Sequence, residues 1–234
     1  MADKPIIFSA PMIRALLASR KTQTRRVISF PGIENVLDFV KVGIDKDGRN
    51  VYEMKGASGQ HVTRPAGKGI ADYQYSPRIA VGDRLYVRET WAPISALKHN
   101  DPGVTALAEN GFYRADDSVF DDEITRWTPA IHQPHKASRL TLIVSNVRIE
   151  RLQDISDDDV IAEGIQRLDG LLVHYGRIAD APYATSAKGA YAILWDSINK
   201  PGAWAANPWV AAYTFSVIRQ NIDLIQAPQP DASP

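Results

Sequence analysis

The chain has 234 residues, with 27 Lys and Arg against 27 Asp and Glu and no Cys. The length is ample for a hydrophobic core, and the missing Cys excludes disulfides and thiolate metal sites. A formal net charge of zero leaves only the distribution of charge to speak for or against a polyanionic partner.

No apolar run reaches the roughly 18 residues of a spanning helix, and residues 5–8, followed by Pro11, are too short for a signal-peptide core. The expectation is therefore no membrane span and a reducing, cytoplasmic setting. Residues 4–8 read as a short buried strand. Ser9 can cap a helix with Pro11 in its first turn, and Met12, Ile13, Leu16 and Leu17 form its apolar stripe. This helix should end near Ser19. The basic stretch Arg20-Lys21-Thr22-Gln23-Thr24-Arg25-Arg26 follows, with a strand predicted over 22–28. Up to Arg26 there are six cations and one acid, Asp3.

An insertion is expected over about 31–78. Within it, 36–42 and 50–53 pair as a hairpin around Asp45-Lys46-Asp47-Gly48, which is strong turn chemistry. Residues 57–72 are Gly-rich and expected to be a mobile loop. Gly82-Asp83 forms a turn into a strand where Leu85, Val87 and Glu89 alternate with Arg84, Tyr86 and Arg88, ending at Trp91. Residues 92–131 read as irregular, with a short strand at 112–114. Residues 140–150 are the clearest core strand, and a phase shift near Ser145-Asn146 predicts a bulge. Ser156 caps the next helix, and Asp157, Asp158 and Asp159 complement its dipole rather than a metal. That helix runs to Glu163 and Gly164 stops it. An amphipathic helix is predicted over 187–198 through Tyr191, Leu194, Trp195 and Ile198, and a last strand over 209–218. The tail 227–234 reads as disordered, leaving one domain over 1–226. Strands outnumber helices without βαβ alternation, which points to an α+β fold with a small mixed or barrel-like sheet and helices at its edges.

Several residue groups carry candidate chemistry. The cations of 20–26 alternate with hydroxyls instead of acids, so they lack local ion-pair lacing and can hold a phosphate or lower the pKa of one Lys. Trp91 beside Glu89 can stack on a base. His132 and His135 have the spacing of a metal pair, but Pro134 opposes the helix that would align them. No metal or cofactor is expected. No phosphate-binding Gly loop or Ser-His-Asp order is recognisable.

The N-terminal helix with 20–26 resembles the Gly-x-Lys-Thr-x-Thr-x-Arg signature of the ASCH family of PUA-like proteins, with Ser19 where Gly is usual. Gly82-Asp83-Arg84-Leu85, the 152–164 helix and the 209–215 strand resemble further segments of the family in the same order. The resemblance covers most of the chain apart from about 31–75 and the tail, and is nearest to long phage or prophage members. It implies a PUA-like mixed β-barrel with a long insertion and a cleft for RNA or a modified nucleoside. It also implies similarity to the bacterial acetylcytidine amidohydrolase, whose Lys, Thr and Glu fall on Lys21, Thr24 and Glu163. In that reading Lys21 is the base, Thr24 the hydroxyl it activates or that orients water, and Glu163 the group that protonates the leaving amine or holds Lys21. Arg20, Arg25, Arg26, Glu89 and Trp91 are the expected substrate-binding residues, with Arg25 or Arg26 stabilising an oxyanion. Lys21, Thr24 and Glu163 should then lie within one hydrogen bond or one bridging water of each other. The alternative is a non-catalytic, phage-encoded module that binds a host protein.

Overall fold

The structure is a computed structural model that describes residues 3–29, 36–56, 74–98, 111–116, 123–168, 171–173 and 184–225. In chain order these form β1 (Asp3–Ile7), α1 (Ala10–Leu17), β2 (Gln23–Val27), β3 (Asp38–Ile44), β4 (Asn50–Lys55), β5 (Gln74–Tyr75), β6 (Arg84–Arg88), β7 (Trp91–Ala92), β8 (Phe112–Tyr113), β9 (Thr141–Arg151), α2 (Asp157–Ala162), β10 (Gln166–Leu168), β11 (Leu171–Val173), α3 (Ala187–Ile198) and β12 (Trp209–Ile218). The class is α+β, as expected. The predicted strands over 140–150 and 209–218 and the helix over 187–198 lie within a residue of the observed ones.

A five-stranded sheet in the order β1-β6-β9-β12-β2 is the frame of the molecule. β1 runs parallel to β6, and every other pairing in this sheet is antiparallel. The long β9–β12 ladder is its spine. Thr214 faces Asn146 and Phe215 faces Val144, which leaves Ser145 as the bulged residue. Strict alternation would put Val144 and Val147 on opposite faces; the bulge resets the phase, and both are buried. Leu85, Leu142, Val210 and Phe215 bury with Ile13 and Leu16 of α1 and with Leu194 of α3 in one core. Each such side chain contributes about 1.5–3 kcal/mol when fully removed from water.

Two expectations are corrected. The sheet does not close into a barrel, because β1 ends the ladder on one side and β2 on the other. These two strands share no ladder among the described residues, and Arg26 Nη2 donates to the Ile7 carbonyl at 2.7 Å. β1 is also not a buried strand. It is an edge in which only Ile6 is buried, a place that tolerates Pro5 and its missing N–H. Ser9 sits at the N-cap of α1 in extended conformation, but its side chain makes no capping bond.

The insertion forms the predicted hairpin, β3 with β4, extended by β5. The Asp45 carboxylate accepts the backbone N–H groups of Asp47 and Arg49, both at 2.9 Å, and Gly48 takes the positive φ of 77° that the turn requires. Phe39 packs edge-on against Trp209 with centroids 4.8 Å apart, and Tyr52 donates its hydroxyl to the Val147 carbonyl at 3.3 Å. The hairpin is therefore docked on the main sheet. The loop expected over 57–72 and the tail over 227–234 lie outside the described residues. Among the described residues, no helix is long and apolar enough to cross a membrane.

Candidate functional site

The basic stretch is placed by the end of α1. Ser19 adopts a left-handed φ of 55°, and the N–H groups of Arg20 and Lys21 both reach back to the Ala15 carbonyl, at 2.9 and 3.2 Å. This closes the helix and turns the chain into β2. Thr22 N then donates to the Ala162 carbonyl at 2.8 Å, and Phe215 N to the Thr22 carbonyl at 2.9 Å. The start of β2 is thus stitched to both β12 and the end of α2. At the other end of α2, the Ser156 hydroxyl accepts from Asp159 N at 3.1 Å, the cap read from the sequence. Glu163 is the C-cap residue, and Gly164 reverses the chain with φ 103°. These caps bring Glu163 against Lys21.

Lys21 is 0% exposed. Its Nζ donates to Glu163 Oε2 at 2.5 Å and to the Glu163 carbonyl at 3.1 Å. Glu163 Oε1 accepts from Arg25 Nη1 and from the Tyr191 hydroxyl, each at 3.2 Å. Arg25 donates further to Glu150 Oε1 through Nε at 2.9 Å and to Asp159 Oδ2 through Nη2 at 2.8 Å. Asp159 in turn accepts from Gln23 Nε2 at 2.8 Å and from Arg148 Nη2 at 2.7 Å. Burial lowers the Lys21 pKa; Glu163 opposes that shift, and repulsion by Arg26 and Arg25 adds to it. Burial works against the charge of Arg25 as well, but Glu163 and Glu150 outweigh it and hold the guanidinium above its ordinary value. At Asp159 burial raises the pKa, and hydrogen bonds from Gln23 and Arg148 with the charge of Arg25 turn the net shift downward.

This network borders a small cleft of about 60 Å³. Its polar lining is Thr24, Arg25, Arg26, Glu163, Tyr191 and Asn199, and its apolar lining is Met12, Val27, Leu194, Trp195 and Ile198. Lys21 is sealed in the wall and does not line it. Thr24 is 2% exposed and lines the same cleft as Glu163. Such an arrangement can hold a small neutral molecule against a hydroxyl and a carboxylate, with a buried amine to receive or return a proton.

The other expected substrate-binding residues are placed as follows. Arg20 clamps the turn after α2: its Nη1 donates to the Gly164 carbonyl at 3.3 Å, and with the Gln166 amide oriented to accept, its Nε lies 3.0 Å from that oxygen. Arg26 lines the cleft and lies 5.2 Å from the Phe8 ring. Glu89 and Trp91 do not join this site. Glu89 is buried against Arg139, and Trp91 lines a separate cleft with Pro93, Pro134 and Lys136. Both follow β6, which pairs with β9, whereas β2 lies at the opposite end of the sheet beyond β12. Sequence reasoning missed Tyr191, Glu150 and the anchoring role of Asp159. Tyr191 was visible as the one hydroxyl on the apolar stripe of α3, and Asp159 as an acid already explained by the helix dipole.

No protein-family model matches the chain, and no match was found among curated proteins or solved structures.

Proposed function

We propose that this chain is a PUA-like protein of ASCH type that binds a modified nucleoside in the Thr24–Glu163 cleft and hydrolyses the exocyclic amide of an N-acylated cytosine. The observation that carries the reading is the fully buried Lys21–Glu163 pair, 142 residues apart in sequence, with Glu163 opening onto a cleft beside Thr24. A buried ion pair is a weak source of stability compared with apolar packing, and buried amines with perturbed pKa beside clefts concentrate at functional sites. The resemblance of 20–26 to the ASCH signature points to the same residues.

In this mechanism Thr24 orients a water against the acyl carbon. The Lys21–Glu163 pair takes the water's proton as the C–O bond forms, and N–H groups of Arg26, which lines the cleft, face the developing oxyanion. Collapse breaks the C–N bond, and the pair returns the proton to the leaving exocyclic amine. The products are a carboxylic acid and the free cytosine nucleoside.

A nucleoside is favoured over an RNA strand. Lys21 and Arg25 are already answered by Glu163, Glu150 and Asp159, and the rest of the wall is largely apolar. Phosphate contacts would make binding fall steeply with salt; nucleoside binding here should barely change. The test is release of cytidine from N4-acetylcytidine, followed by chromatography. The wild-type chain should turn over and Lys21→Ala should lose about 10²–10⁴-fold. No release by the wild type, or undiminished release by the variant, overturns the mechanism.

A second reading has its own support: β3 leaves Val40, Val42 and Ile44 exposed, a surface that a host protein could cover. A stoichiometric partner that survives nuclease treatment and is lost with Ile44→Lys supports that reading. A partner indifferent to Ile44→Lys sinks it.

A further inference from the structure

Apart from the Thr24–Glu163 cleft, the described residues form a larger one of about 420 Å³. That size lies in the range of sites that take a small organic molecule. Trp91, Pro93, Ile94 and Ser95 line it from one segment, and Pro134 and Lys136 from another.

Both segments are held in place before any ligand arrives. Trp91 exchanges backbone hydrogen bonds with Thr128, at 3.1 and 2.8 Å. The turn at 134–137 is fastened by Gln133, which is 0% exposed. Its Oε1 accepts from Glu89 N at 2.8 Å, and its Nε2 donates to the Ala137 carbonyl at 2.9 Å. The Tyr113 hydroxyl donates to the same carbonyl, also at 2.9 Å. A cleft fixed in this way leaves little ordering cost for binding.

The surface that the walls offer follows from which atoms are already used. Trp91 is partly exposed, yet its indole N–H is sealed from solvent and its backbone polar groups are bonded to Thr128. The surface it presents is therefore indole carbon. Gly111 packs against the ring with φ 101°: a Cβ there would lie 3.1 Å from a ring carbon and run into the Ala92 carbonyl oxygen. Only glycine lets the backbone support the ring so closely. Lys136 is exposed, and its carbonyl accepts from Asn221 Nδ2 at 3.3 Å. Its ammonium has no ion pair or hydrogen bond among the described residues.

We propose that this cleft binds a flat aromatic monocarboxylate, with the ring against the Trp91 indole and the carboxylate on the Lys136 ammonium. Indole carbon, two prolines and Ile94 favour a flat apolar body, and a ring on Trp91 adds an aromatic contact to the area it buries. The single cation of the lining matches one negative charge. A phosphate monoester would bring close to two charges and three strong acceptor oxygens, more than one lysine answers. The site is separate from the Thr24–Glu163 cleft and does not depend on the hydrolase reading.

The test is calorimetric titration of the full chain with 2-naphthoate and with 2-naphthamide, its uncharged isostere. At low salt the wild type should bind the naphthoate about 3–5-fold tighter than the amide, and about 1 M salt should erase that preference. Lys136→Met keeps the apolar stem, removes the charge at an exposed position, and should bind both probes alike. Trp91→Ala should weaken both by about 10-fold or more. Ser95→Trp, also at an exposed position, fills the cleft and should block both probes even if Trp91→Ala fails to fold. No naphthoate binding by the wild type, a preference that persists in Lys136→Met, or binding undiminished in Ser95→Trp overturns the proposal.

Discussion

Glu163 and Glu89 are both nearly inaccessible, at 3% and 1% exposed, and they are neutralised in opposite styles. Glu89 is held by one residue: Arg139 donates Nε to Oε1 at 2.9 Å and Nη2 to Oε2 at 3.0 Å. The same guanidinium grips Asp116 at 2.8 and 2.7 Å and lies over the Tyr113 ring at 4.0 Å. The fork is consumed by a planar, two-carboxylate clamp. Burial pushes the Glu89 carboxyl up against the pull of Arg139, and pushes the Tyr113 hydroxyl up to about 12. Glu163 instead receives single bonds from Lys21 ahead of β2, from Arg25 within β2 and from Tyr191 on α3, and it opens onto a cleft. A carboxylate closed by one bidentate partner is a staple between strands. One shared among separate donors at a cleft can exchange a bond for a substrate without losing all of its compensation.

The largest expected contrast is catalytic. Glu163→Gln should cost stability too, since it leaves the buried Lys21 without its carboxylate, but per folded molecule it should lower N4-acetylcytidine turnover by about 10²–10⁴-fold, because it removes the proton acceptor that faces the cleft. Next is the staple. Glu89→Gln should lower the stability to urea by about 3–5 kcal/mol, since it leaves Arg139 only partly answered in a buried setting, while turnover per folded molecule stays unchanged. Equal turnover per folded molecule in the two variants would erase the distinction between staple and site.

A smaller effect is expected from Asp159, which anchors Arg25. Its folded pKa lies below the ordinary 3.8, so between the two values the unfolded chain binds the proton and the native state does not. Stability then rises with pH through that window; the contribution is complete above 3.8 and lost as pH falls through the lowered value. Asp159→Asn should remove this acid-sensitive part from a pH series of urea midpoints. The smallest effect is at Ser19, exposed and left-handed at φ 55°. Ser19→Gly should raise stability by about 0.5–1 kcal/mol by relieving the strained backbone, with turnover unaltered.

Local chemistry made most elements legible in the sequence. Ser156, Gly164 and the Asp45–Gly48 turn punctuate the chain where side-chain acceptors and positive φ are needed, and the phase shift at Ser145 disclosed the bulge. Closure was not legible, because whether β1 meets β2 depends on long-range strand order that no local pattern records, and an edge strand such as Lys4-Pro5-Ile6-Ile7 carries the same apolar run as a buried one. At the site, Lys21 stood out by its basic neighbours, whereas Glu163 entered only through the family resemblance. The pairing of Glu89 with Arg139 joins residues 50 apart, and no local pattern separates a carboxylate destined for a clamp from one destined for a cleft. Tyr191 and Trp195 read as packing residues because the helical period records which face is buried and not what lies against it.

The most direct test compares N4-acetylcytidine turnover by the wild type, Glu163→Gln and Glu89→Gln, each corrected for its folded fraction. The account predicts release of cytidine by the wild type and by Glu89→Gln at matching rates, with Glu163→Gln lower by at least about 100-fold. Matching rates for Glu163→Gln and the wild type, or a catalytic loss confined to Glu89→Gln, would contradict it.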